Sequence, residues 1–162
     1  MAKTKITQVM MDDSTLNVNK EVDMVFSIAN TLRGPYKADK YKDIIIPMII
    51  IRRLECALAT KDASGKTRKQ KVTEAFKKNP QTPQQVLERL AGYPFYNTSD
   101  FDLAGLLDEA PAIVENFHFY LDSFSPNIKD MLITRLKFKE KITDLDKNNR
   151  LLGVVKSSPN LI

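Results

Sequence analysis

The 162-residue sequence has no tryptophan, one cysteine, one histidine and only five glycines, and each scarcity excludes something. A lone Cys56 rules out an internal disulfide, and Cys56 with His118 falls short of the four ligands of a structural zinc site. Set among Leu54, Ala57 and Leu58, Cys56 reads as a small buried apolar residue. Long apolar runs are missing too. The longest, Ile44 to Ile51, is far below the ~20 residues of a membrane span. Met1-Ala2-Lys3-Thr4-Lys5 has no apolar stretch behind it, so it does not read as a secretion signal, and a cytoplasmic location with no membrane partner is expected.

What is present suits one globular domain. Apolar residues make up 43% of the chain, enough to build a core at this length. Charge is segregated. Residues 33–53 carry six Lys/Arg against two acids, residues 61–80 seven against two, and residues 129–156 eight against four. Gln81 to Ile128 has one Arg against seven acids. A net charge of +5 arranged this way suits a basic face toward a polyanion and an acidic face toward protein or solvent, with a solvated charged surface as the equal alternative.

Apolar periodicity is helical nearly throughout. Val18, Val22, Val25, Ala29 and Leu32 recur every three or four residues, predicting an amphipathic helix ended by Gly34-Pro35. Tyr41 to Leu58 is apolar on all sides between Ile44 and Ile51, which predicts a central buried helix kinked at Pro47. A strand there is disfavoured, because proline cannot donate to a sheet ladder and no partner strand is apparent. Ala63-Ser64-Gly65 predicts a turn, followed by a polar helix or ordered loop up to Lys78. Thr82-Pro83-Gln84-Gln85 predicts a helix capped by Thr82, with Val86, Leu87 and Leu90 as its apolar face. Further starts are expected at Asp100 and at Ser125-Pro126, the latter opening a helix with Ile128, Met131, Leu132, Arg135 and Leu136. The expected fold is all-α: a compact multi-helix bundle over residues 18–162, preceded by a flexible segment, 1–17.

Fragments of catalytic motifs fail on spacing. Gly65-Lys66-Thr67 imitates the end of a phosphate-binding loop, but the first glycine of that motif would fall at Thr60. No two glycines form Gly-x-Gly, which removes a dinucleotide or S-adenosylmethionine loop of that kind. Asn79-Pro80-Gln81-Thr82 starts like the Asn-Pro-Pro-aromatic motif of amino-group DNA methyltransferases, and Gln81 and Thr82 break it. His118 has no nucleophile beside it, and Asp108-Glu109 diverge on a helix. No catalytic residue is assigned.

Four segments in order resemble the N-terminal helical domain of the modification subunit of type I restriction-modification systems, an adenine-specific DNA methyltransferase. They are Ile28 to Tyr36 containing Leu32-Arg33-Gly34; Tyr41 to Met48 continuing to Ile51–Leu58; Phe95-Tyr96-Asn97-Thr98-Ser99; and Phe124-Ser125-Pro126-Asn127 leading to Phe138–Ile142. The resemblance covers about residues 22 to 155. It implies a domain without catalysis or cofactor of its own, one that helps to close around duplex DNA and to assemble with specificity and restriction subunits and with a second methylase subunit. S-adenosylmethionine would belong to a catalytic domain, and the chain is read as a fragment lacking it.

The basic residues suit that role. Arg33, Lys37, Lys40 and Lys42 surround the Gly34-Pro35 turn, and Lys66, Arg68, Lys69 and Lys71 follow the Gly65 turn; all eight are candidates for DNA phosphate contact. Arg52, Arg53, Tyr93, Phe95 and Tyr96 are candidates for subunit docking, with a buried or interface ion pair as the equal alternative for Arg52 and Arg53. The competing function is a pure protein-protein docking domain that uses the aromatic and acidic region 93–124 and never touches DNA.

Overall fold

The computed structural model describes residues 19–158; the expected flexible segment 1–17 lies outside the described residues. Helix α1 occupies residues 19–32 and α2 Lys42–Leu58, separated by a tight turn and a 3-10 turn at Ala38–Lys40. There follow α3 (Arg68–Lys78), α4 (Gln84–Ala91), a 3-10 stretch (Gly105–Ala112) and α5 (Ile113–Asp122). The chain ends with α6 (Pro126–Lys129), a π-helical turn (Asp130–Arg135), α7 (Phe138–Lys147) and α8 (Leu151–Lys156). No strand occurs among the described residues, only isolated bridges such as Asn97 with Phe124. The all-α expectation holds, and none of these helices is long and apolar enough to cross a membrane.

The helices close around two cores. The larger joins Met24, Ile28 and Leu32 of α1 to Ile44, Met48 and Ile51 of α2, and these to inward residues of α5, α7 and α8. The smaller holds the α3–α4 hairpin against the end of α2 through Leu58, Val72, Leu87, Ala91 and Tyr96. Phe95 packs against both, so the two cores share a wall.

Several local expectations shift by a residue or a cap. In α1 the buried stripe is Met24, Ile28 and Leu32, while Val22 is exposed and Val25 and Ala29 are half-buried. Met and Ile fill the interhelical space better than the smaller Val and Ala, and i, i+4, i+8 spacing serves either set. Position 46 corrects the expectation of all-round burial in α2, since Ile46 remains 49% exposed. Pro47 lies inside that helix and is buried, so the helical reading of this run stands. Cys56 is half-buried rather than buried, and its sulfur accepts from Arg52 Nη1 at 3.1 Å.

Helix α4 begins at Gln84 with Pro83 at the N-cap position, and Thr82 does not cap it. The Thr82 hydroxyl donates back to the carbonyls of Asn79 and Ala75, closing the end of α3. The reciprocal cap sits one helix earlier. Thr67 Oγ1 accepts from Gln70 N at 3.1 Å and Gln70 Oε1 accepts from Thr67 N at 2.9 Å. Val86 is exposed, and Leu87 and Ala91 are the buried residues of α4. The start expected at Asp100 falls instead at Gly105, where the 3-10 stretch begins and whose N donates to the Asp102 carboxylate at 2.6 Å. The single helix expected after Pro126 widens into the π turn, where Leu136 N donates to Met131 O at 2.9 Å.

Gly92 ends α4 with φ +73, in the left-handed region that glycine adopts without a steric penalty. A Cβ here would overlap Arg68 Nη1, which donates to Ala91 O at 3.0 Å. Gly92→Ala is therefore expected to destabilise the α3–α4 hairpin by about 1–3 kcal/mol, from backbone strain and the displaced guanidinium. Urea unfolding measures it, and an unchanged midpoint would refute the close approach.

Candidate nucleic-acid interface

The first basic group is built by the way α1 stops. Arg33 N still donates to Ala29 O at 3.1 Å, Gly34 then takes φ +109, and Tyr36 N donates to Leu32 O at 3.1 Å. That reversal throws Arg33, Lys37, Lys40 and Lys42 to the surface. All four are exposed, and none forms an ion pair or side-chain hydrogen bond among the described residues. The turn is fixed from behind. Tyr36 Oη donates to Asp144 of α7 at 2.6 Å and accepts from Asn148 Nδ2 at 3.2 Å. Burial and the Asp144 carboxylate push the Tyr36 hydroxyl up to about 12, so it stays a donor. The turn thus holds four exposed cations with no carboxylate paired to them among the described residues.

The second basic group is engaged within the chain. Lys66 pairs with Glu74 at 2.9 Å, and Lys71 pairs with Asp62. Arg68 donates from Nε to Thr60 Oγ1 at 2.9 Å and from Nη1 to Ala91 O, with its guanidinium 5.0 Å from the Tyr93 ring centre. Lys69 turns inward. Its ammonium donates to Phe101 O and lies 5.4 Å from the Tyr120 ring centre, and burial pulls its pKa down. These four residues stitch α3 to its surroundings: Lys69 is turned inward, Arg68 and Lys71 are half-buried in their contacts, and Lys66 stays exposed in a surface ion pair.

The expected docking residues divide similarly. Arg52 is only 2% exposed, with its Nε unpartnered among the described residues, and Arg53 pairs with Glu21 of α1 at 3.0 Å. Tyr93 stacks on Phe95 with ring centres 5.0 Å apart, and Tyr96 is buried in the smaller core. His118 has a structural contact, its Nε2 lying 3.2 Å from Lys139 O.

Two features escape sequence reasoning. One is Glu55, 7% exposed, whose Oε1 accepts from Leu103 N at 2.6 Å and from Tyr120 Oη at 2.5 Å. Burial pushes its carboxyl up to about 7, against the opposing effect of those two bonds. Glu55, Lys69, Asp102 and Tyr120 line a cleft of about 330 Å³. The signal was the stripe Ile44, Met48, Ile51, Glu55, Leu58, which sets an acid in line with the inward face of α2. The other is the company of Lys42: the fold brings Arg135, Lys137 and Lys141 beside it from a point almost a hundred residues on. No group of three or more His, Cys, Asp or Glu side chains able to hold a metal occurs among the described residues.

A family model, the HsdM N-terminal domain, matches residues 22–157. It describes the N-terminal domain of the methylase subunit of type I restriction-modification systems. No curated protein and no solved structure matches the chain.

Proposed function

We propose, from the premise that the chain belongs to the HsdM N-terminal domain family, that it is a DNA-handling and assembly domain of an adenine-specific methyltransferase. The observation that carries the DNA half is the unpaired, exposed set Arg33, Lys37, Lys40 and Lys42 on a turn anchored by Tyr36. Such a surface binds phosphates without reading bases, so it contributes affinity and closure, while sequence choice rests with a specificity subunit. Val22 and Phe26, 46% and 65% exposed and one helical turn apart on α1, support the assembly half through contact with other subunits of the complex.

S-adenosylmethionine does not fit the residues present. The chain has no Gly-x-Gly loop, and the described residues contain no sheet at whose edge such a loop would sit. We therefore assign cofactor binding and methyl transfer to the catalytic domain of the methylase subunit, acting in the cytoplasm, and no chemical step to this domain.

The test is a salt titration of duplex DNA binding by this chain, followed by fluorescence anisotropy. Binding should weaken steeply with salt. Lys37→Glu with Lys40→Glu should lower affinity at least about tenfold and reduce the log–log salt slope by roughly 2. DNA retention equal to that of an uncharged control would sink the phosphate role and favour docking alone.

A further inference from the structure

The cations gathered around Lys42 form a concave site distinct in shape from the exposed turn. A cleft of about 440 Å³ opens between the first turns of α2 and the junction of the π turn with α7. Lys42, Arg135, Lys137 and Lys141 line it, with Asp43 as the acid of the lining. Arg135 shares its charge with Asp130 at 3.1 Å, because the π turn aligns residues five apart. Lys42, Lys137 and Lys141 have no ion-pair partner among the described residues. Three lysines thus line one cleft without an ion pair of their own, against a single lining carboxylate, although repulsion between like charges opposes such an arrangement.

The backbone adds a second observation. Lys137 adopts φ +51 and ψ +42, the left-handed conformation that a side chain with a Cβ rarely takes. It follows directly on the π turn and serves as the N-cap residue of α7. An irregular turn and an unfavourable residue conformation together bring Lys137 into the lining of this cleft.

We propose that the cleft is a phosphate-binding subsite in which Lys42, Lys137 and Lys141 hold one phosphodiester group of duplex DNA. The proposal rests on the DNA-handling reading above and extends it to residues the sequence motifs do not touch. Three ammonium groups on flexible stems match the several oxygens of a phosphate better than a planar carboxylate. Ile46, half-exposed in the same lining, favours a phosphodiester over a free phosphate, since a flanking deoxyribose covers apolar surface that an inorganic ion leaves wet.

The variant Lys137→Gly with Lys141→Gln removes two charges, and glycine tolerates the left-handed backbone, so its thermal transition should match the parent's. Duplex DNA affinity at about 0.1 M salt should fall about tenfold per lysine, with a shallower salt slope. Unchanged affinity and slope, in a chain where Lys37→Glu with Lys40→Glu still weakens binding, would overturn the cleft and leave the DNA reading standing. Absence of salt-dependent binding by the parent chain would overturn that reading instead. In a titration with a short DNA duplex the amide resonances of Lys137 and Lys141 should shift saturably, and at lower ligand concentration than with inorganic phosphate; no shift with a duplex that does bind the chain would overturn the cleft.

Discussion

Phe117→Ala is expected to cost the domain about 3–5 kcal/mol of folding stability, enough to lower its melting midpoint by roughly 10 °C. Phe117 is fully buried at the meeting of α5 and α7. Its ring lies edge-on to Phe138, with ring centres 5.8 Å apart, and to Tyr120 at 6.3 Å, and Tyr120 continues the series to Phe124 at 5.0 Å. Truncation removes the apolar transfer energy of the ring, both edge-to-face contacts, and the filling of a space that rigid helices cannot collapse. Two residues on, Phe119 supplies an internal control. It is 56% exposed and touches Phe101 edge-on at 6.2 Å, so Phe119→Ala should cost about 1 kcal/mol or less. Urea unfolding of the two variants separates the cases, and equal losses would mean that α5 is rotated about its axis from the arrangement described.

That contrast marks how far the sequence is legible. Asn116-Phe117-His118-Phe119-Tyr120 sets aromatic rings at 117, 119 and 120, and local periodicity does not say which of Phe117 and Phe119 faces inward. The decision is tertiary, made by where Phe138 stands. The same holds for α1, where Leu32 is buried as expected but Met24 and Ile28 displace the equally periodic Val22, Val25 and Ala29. Helix existence was readable because Gly34, Gly92 and the prolines punctuate apolar runs, and the four ordered motifs led to the family. The placement of the basic residues was half-readable. Arg33, Lys37, Lys40 and Lys42 lie close in sequence around one turn, so their exposure follows from local structure. Lys69 looked like its neighbours Lys66 and Lys71, yet packing against Tyr120 sends it inward. Lys137 and Lys141 meet Lys42 only because α7 lies against α2, a contact that no local pattern encodes.

Neutralising Glu55 is expected to make the chain more stable at pH 8 and to flatten its stability profile. Burial raises the Glu55 carboxyl from its ordinary 4.5 to about 7 in the folded state. Between those values the folded chain therefore binds more protons than the unfolded one, and the contribution of this group to stability declines as pH rises across the window. The full decline is about 3 kcal/mol, and it is complete above pH 7. In Glu55→Gln an amide oxygen can still accept from Leu103 N and Tyr120 Oη, with no charge to desolvate. The variant should exceed the parent by about 1–3 kcal/mol at pH 8 and differ little at pH 5. The gain stays below the full figure because ionised Glu55 also helps to hold the neighbouring Lys69 protonated, against the burial that pulls it down. Asp102 acts in the opposite sense on Glu55, raising its pKa further across the cleft. Urea unfolding of both chains from pH 5 to pH 8 isolates the effect as a difference. A difference independent of pH would show that Glu55 is already ionised throughout, with Lys69 rather than a proton compensating its charge.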